Sequence, residues 1–282
     1  MRAARIIAAL LIATSGQFAA GRYRRGAAFA VSLLIGILLA TRLGAIPFFL
    51  IWVASVIDAA VIKPVPSDRT VGRQLLAVLV TGCVGLLVSV TVKSVWVEAF
   101  KIPAGSMVPT LLVGDHMFAD KRARTPGRGD VVVFKYPKQP EKDFVKRVIA
   151  VGGDTIELKA DGSLVLNGQP VARTHVDAPC EYDEILEEDG RVEKRGCEAW
   201  DETLDGRTYR VYLDRGRRER AFAPVSVGND AYYVLGDNRD NSHDSRYWGM
   251  VPADHIRATA RNLWFSYGLD GVRWDRLNLR IR

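Results

Sequence analysis

Residues 75–92 (LLAVLVTGCVGLLVSVTV) run for eighteen positions without a charge. At about 1.5 Å per residue, a helix of that length can just cross the hydrocarbon core of a bilayer. Two further apolar runs lie upstream, near 27–41 and 43–62, parted around Thr41-Arg42, and a weaker one lies at 6–20. The run at 43–62 reaches spanning length, with Asp58 near its end in an interfacial or helix-packing position. The run at 27–41 spans only with flanking residues or local thinning of the bilayer.

Charge follows the same division. Ten Lys/Arg and two acids, Asp58 and Asp68, precede residue 98, whereas 98–282 holds 29 basic and 30 acidic residues. The net charge of +7 therefore belongs to the apolar front third. A nucleic-acid binder would carry it on the folded polar part, so nucleic acid is not an expected partner. Basic residues in the breaks at 22–25 and 63–73 mark those breaks as cytoplasmic. The helix at 75–92 then runs outward, and everything after Lys93 emerges on the external side. A cleaved secretion signal is the alternative for the N-terminus, against which the further apolar runs argue. The expected organisation is a membrane anchor over 1–97 and an extracytoplasmic domain over 98–282.

Past residue 98 the pattern becomes one of short segments rich in β-branched and aromatic residues: 131–134, 144–151, 155–158, 163–166, 209–213 and 232–235. Turn dipeptides Asp161-Gly162 and Asn167-Gly168 separate them, and the second suits a two-residue hairpin. No stretch keeps a helical apolar period. These features predict a mainly β, antiparallel domain with a small β-rich second subdomain, preceded by transmembrane helices. A polar excursion near 168–228, densest in charge over 177–207, contains Cys180 and Cys197. Outside the membrane these two can pair and close a loop with few apolar residues; two reduced, partly exposed thiols are the other reading. The third cysteine, Cys83, falls in a membrane run. His116, His175, His243 and His255 are scattered without ligand spacing, so neither a metal nor a cofactor is expected.

Three segments stand out chemically. In 102–111, Gly105 before Ser106 suits a close approach to that serine, and Pro103 and Pro109 stiffen the path. By itself the segment reads equally well as a Gly/Pro-rich linker. In 143–150, strand alternation puts Phe144, Lys146 and Val148 on one face and Arg147 on the other. A lysine between apolar neighbours is depressed in pKa by burial, and a neutral amine can act as a general base. The competing reading is an edge-strand lysine in solvent. The segment 236–249 is dense in short polar side chains that fix loops by hydrogen bonds to backbone. Asp244 and Arg246 are spaced for a buttressing ion pair, and His243 leaves a Ser-His-Asp arrangement with Ser106 open. No G-x-S-x-G elbow is present.

Read together, G-S-M-x-P-T-L-x-x-G-D at 105–115, R-G-D-V-V-V-F at 128–134, F-V-K-R at 144–147 and G-D-N-R-D-N-S-x-D-S-R-Y-W-G at 236–249 resemble the bacterial signal peptidase I (leader peptidase) family, in the family's order. The resemblance covers roughly 98–282. It implies a membrane-bound serine endopeptidase of the bacterial inner membrane, with its catalytic domain on the external side, acting on secreted preproteins that carry signal peptides. Ser106 would be the nucleophile, Lys146 the general base, Ser242 its orienting partner, and Asp244 and Arg246 supports. His243 falls at a variable position and drops out as a triad member. The substrate would lie extended, with small residues at the first and third positions before the cut, against a surface including Phe100, Ile102, Met107 and Phe144. One departure is Ala104, where many members carry a serine that helps bind the oxyanion. A non-catalytic, membrane-tethered peptide binder is the rival reading, and the sequence is silent on oligomeric state.

Overall fold

The computed structural model describes residues 22–43, 46–61, 96–185, 191–215 and 221–281, with positions 17, 18, 20, 79 and 83. The chain divides into two compact units, Met1–Val97 and Glu98–Arg282. In the first, helices α1 (Tyr23–Leu43) and α2 (Ile46–Val61) pack on each other. Arg25 Nη1 donates to Asp58 Oδ1 at 3.1 Å and Gln17 Nε2 to the Ser55 carbonyl at 2.7 Å, so Asp58 serves helix packing. The expected break at Thr41-Arg42 lies inside α1, since neither residue interrupts helical hydrogen bonding. Among the described residues no helix is long and apolar enough to cross a membrane. The runs at 6–20 and 75–92 fall almost wholly outside the described residues.

The second unit is built from antiparallel strands: β1 (Val97–Lys101), β2 (Asp115–Asp120), β3 (Val131–Tyr136), β4 (Gln139–Val151), β5 (Thr155–Leu158), β6 (Leu164–Leu166), β7 (Gln169–Pro170), β8 (Ala172–Val176), β9 (Glu181–Ile185), β10 (Val192–Leu204), β11 (Arg207–Asp214), β12 (Phe222–Ser226), β13 (Ala231–Leu235), β14 (Val251–Pro252), β15 (Ile256–Gly268) and β16 (Gly271–Val272). One helical turn, α3 (Ser245–Trp248), interrupts them. The main sheet runs β1-β2-β15-β3-β4-β13-β14, with β16 beside β15. Smaller sheets are formed by β11-β10-β8 with β9, and by β12-β5-β6-β7.

β3 explains the position of the core. Its first four residues are all buried because the sheet is covered on both faces there: Val131 and Val133 feed one apolar cluster, Val132 and Phe134 another. β4 lies antiparallel to it, with Val132 opposite Lys146 and Val131 opposite Arg147. The most protected part of the sheet therefore carries two cations. The hairpin at Asn167-Gly168 forms as its sequence demands, with φ of 53° and 76° at the two turn residues.

The polar excursion differs from its sequence reading. It is no loosely attached loop but a sheet whose longest strand, β10, leaves most of its charges exposed while burying Cys197 and Ala199 on one face and Glu202 and Leu204 on the other. Alternation with period two hides an inward face even when the overall composition is polar. Cys180 and Cys197 are bonded, with Cα atoms 5.0 Å apart, and pack with Val108, Tyr182 and Ala199. A bridge across 17 residues of chain removes about 3 kcal/mol of unfolded-state entropy. Replacing both cysteines by serine is expected to lower stability by about that amount, read as the urea midpoint of the second unit.

Candidate active site

Ser106 sits in a single 3-10 turn, Gly105–Met107, held from below by Met107, which is buried with Ile102 and Leu111. The turn is fastened from its other side by Asn238. The Asn238 backbone N–H donates to the Ser106 carbonyl at 3.1 Å, and its side-chain amide to the Gly105 carbonyl at 3.2 Å. Lys146 reaches the turn from β4, placing Nζ 2.7 Å from Ser106 Oγ and 3.1 Å from the Val145 carbonyl. The Phe144 ring centroid is 5.5 Å from Nζ. The separation of amine and hydroxyl is within the range over which a base takes a proton.

Only 4% of Lys146 is exposed, and burial depresses its pKa from 10.5 to about 8. The negative charges of Asp244 and Asp237 oppose that shift, and Arg246 adds to it. The fold thus holds the amine near the point where half of it is neutral at mildly alkaline pH. Since one pKa unit is about 1.4 kcal/mol, the shift corresponds to about 3 kcal/mol.

Asp244 organises the loop behind the lysine. Its carboxylate accepts from Ser242 Oγ at 2.7 Å, the Gly236 N–H at 3.0 Å, and Arg246 Nε and Nη2 at 2.8 and 2.9 Å. It also caps α3 through the Arg246 N–H at 3.3 Å. Ser242 Oγ is thus turned to Asp244, while the hydrogen-bond neighbours of Lys146 Nζ are Ser106 and Val145. His243 is exposed, stacked on Tyr247 with centroids 5.4 Å apart.

Residues singled out from sequence are distributed as follows. Ser106, Lys146, Ser242, Asp244 and Arg246 come together around one point. Ala104 precedes the turn in extended conformation, is exposed, and offers no side-chain donor. Of the four residues assigned to substrate, Ile102 and Met107 are buried in the core and have little surface to offer, whereas Phe100 and Phe144 remain partly exposed. Gly105 does not provide the expected close approach, because a Cβ there would meet only ordinary contacts at 3.7 Å or beyond. The close approach belongs to Gly236, where a Cβ would stand 2.3 Å from Ser242 Oγ and 2.4 Å from the Ser106 carbonyl oxygen.

Sequence reading missed the pair that underlies the site. Arg147 donates to Asp237 through Nε at 2.8 Å and Nη2 at 2.6 Å, and to the Gly129 carbonyl at 2.7 Å. Thr110 Oγ1 donates to Asp237 at 2.5 Å, and the guanidinium lies 4.0 Å from the Tyr209 ring centroid. Arg147 and Asp237 are both buried, 90 positions apart, and only the run of charges in 236–249 hinted at a partner. Among the described residues no cluster of His, Cys, Asp or Glu is arranged to hold a metal ion.

An antiparallel β scaffold presenting a serine hydroxyl to a buried amine is the setting of a hydrolase, and its class is that of the serine peptidases. The family model described as "Signal peptidase, peptidase S26" matches residues 74–265, and the chain belongs to that family. Signal peptidase I of Aquifex aeolicus (strain VF5) is 37% identical over 195 residues, spanning 60% of this chain and 76% of that protein. Signal peptidase I of Pseudomonas fluorescens is 33% identical over 207 residues, 64% of this chain and 69% of its own. That of Rickettsia akari (strain Hartford) is 31% identical over 256 residues, 77% and 88% respectively.

Two outcomes follow from this geometry. Gly236→Ala must displace either Ser242 or the Ser106 turn; kcat is expected to fall about 100-fold or more, with the circular dichroism spectrum unchanged. Lys146→Met removes a buried amine that folding disfavours in its charged form. The folded-state pKa lies below the unfolded one, so the penalty is full below about pH 8 and gone above 10.5. The variant is therefore expected to be more stable than the native chain at pH 7, by up to about 3 kcal/mol. That gain should shrink as pH rises from 8 to 10, measured by denaturant titration.

Proposed function

We propose that the chain is a membrane-anchored endopeptidase that removes signal peptides from secreted preproteins with a Ser106–Lys146 dyad. The observation that carries this reading is the 2.7 Å contact between a partly exposed hydroxyl and an amine whose pKa burial has brought to about 8. Neutral Lys146 takes the Ser106 proton as Oγ attacks the scissile carbonyl, then gives it to the departing amine as the C–N bond breaks, which releases the mature chain, leaves an acyl-enzyme and returns the lysine to its neutral form. The lysine then activates a water that frees the signal peptide. Asp244, fixed by Arg246, holds Ser242 beside this pair. The Ser106 backbone N–H donates to the oxyanion in this reading, while Ala104, with no side-chain donor, contributes nothing to it.

Substrate enters extended. The edge strand β1 and the stretch that follows it, exposed at Lys101, Pro103 and Ala104, lead directly to Ser106, which favours strand-like pairing with a peptide main chain. With Ile102 and Met107 withdrawn into the core, the partly exposed Phe100 and Phe144 are the side chains of this set left to meet the small residues at the first and third positions before the cut. The membrane reading rests on the apolar runs near 6–20, 27–41, 43–62 and 75–92 and on their basic breaks, which place the polar unit outside the inner membrane. Exposed Trp274, Leu269, Tyr267 and Trp264 near the end of the chain support contact of that unit with the lipid interface.

Cleavage of a purified secreted precursor, with the N-terminus of the product sequenced, tests this directly. Ser106→Ala and Lys146→Met are expected to abolish cutting. For the native chain, kcat/KM should rise about tenfold per pH unit and level off above pH 8. Cleavage that survives Lys146→Met, or a flat profile between pH 6 and 9, would rule the dyad out.

A further inference from the structure

The charged sheet β8–β11 meets the site from a direction the dyad does not require. Glu202, on β10, is 1% exposed and ligates Arg239 with both carboxylate oxygens, one at 2.8 Å from Nη1. Arg239 is equally buried and belongs to the loop 236–249. Its carbonyl accepts from Arg246 Nη2, the guanidinium that also holds Asp244. Tyr209, on β11, donates its hydroxyl to Glu202 at 3.1 Å and lays its ring under the Arg147 guanidinium. The two buried ion pairs, Glu202–Arg239 and Arg147–Asp237, are thereby joined through one tyrosine.

Backbone contacts run the same way. The Tyr212 N–H donates to the Asp237 carbonyl at 2.8 Å, extending β11 as a short parallel bridge onto Asn238, the residue that fastens the Ser106 turn. The Asp214 N–H donates to Asp240 Oδ2 at 2.8 Å. Behind the nucleophile, Val108 packs on the disulfide and Tyr182. The sheet therefore touches the catalytic loop at Asp237, Asn238, Arg239 and Asp240, and the nucleophile segment at Val108.

We propose that this disulfide-closed sheet is a clamp on the catalytic loop, and that Glu202 is a positioning residue for the reaction, acting through Arg239. The inference rests on the Ser106–Lys146 reading. A buried ion pair gives back in Coulomb energy roughly what it loses in desolvation, so its net gift to stability is small. What Glu202 does fix is geometry. With Arg239 anchored, its carbonyl stays under Arg246, Asp244 stays on Ser242 and Gly236, and Asn238 keeps the Ser106 turn against Lys146. Loss of the anchor lets the loop drift and admits water beside the amine. The dyad then loses both its distance and its dryness.

The test uses the full-length chain in detergent, with a peptide carrying small residues at the first and third positions before the cut. Glu202→Gln is expected to lower kcat about tenfold or more with KM changed less than about twofold. The rising limb of kcat against pH should move above 8, because a wetter lysine returns toward its ordinary value. Glu202→Gln leaves a buried arginine uncompensated and will also cost stability, so the double variant Glu202→Gln/Arg239→Met separates the two effects. It removes the stranded charge and should recover the thermal midpoint, while kcat and the pH limb stay displaced. Recovery of kcat together with the thermal midpoint would reduce Glu202 to a structural group and overturn the clamp. So would a Glu202→Gln variant that loses thermal stability alone. Failure of the native chain to cut the peptide would instead remove the dyad on which the clamp depends.

Discussion

A primary amine beside a hydroxyl is inert as a base so long as water keeps it charged. The arrangement in the β unit follows from shutting water away from Lys146 without supplying an adjacent carboxylate. Phe144, Val145 and the Ser106 turn close around Nζ, and the nearest negative charges, on Asp244 and Asp237, are already engaged by Arg246 and Arg147. Had either carboxylate bonded directly to Nζ, the ion pair would have restored the charged form and returned the pKa toward its ordinary value. Burial dominates here because the opposing charges are spent on arginines.

That arrangement requires the loop 236–249 to be rigid. Three kinds of interaction hold it: a carboxylate hub at Asp244, a glycine at 236 that lets two chains approach within van der Waals distance, and the buried pair of Arg147 with Asp237. Each fixes a different part of the loop, and the Ser106 turn is hung from the same loop by Asn238. Ser106 and Lys146 therefore share a single support although they are 40 residues apart in the chain. The polar sheet β8–β11 leans on that support as well, which gives a physical role to the most charged part of the sequence.

Much of the β unit was legible from residues alone. Alternating β-branched segments gave the strands 131–136, 155–158 and 231–235 nearly to their ends, and Asn167-Gly168 gave its hairpin, because side-chain sterics and positive φ are local properties. Lys146 could be nominated because its neighbours in the strand are apolar. The long strands β10 and β15 were not seen; the first alternates charged with small or apolar residues, and the second is interrupted by Arg261 and Asn262, so neither gives a clean apolar run. Arg147 was expected to face away from the site and does not act there chemically, yet it anchors the loop from below.

The sequence by itself determined the division between an apolar, basic front and a mainly β remainder, and it singled out the residues able to carry acyl-transfer chemistry. These are short-range matters of hydropathy, periodicity and residue type. Tertiary structure alone decided that the lysine is dry, that Ser242 turns to Asp244, that Gly236 rather than Gly105 is the residue without room for a side chain, and that Asp237 belongs to Arg147. Each of those depends on atoms brought together from distant parts of the chain, and desolvation and steric contact have no value until the surrounding groups are in place.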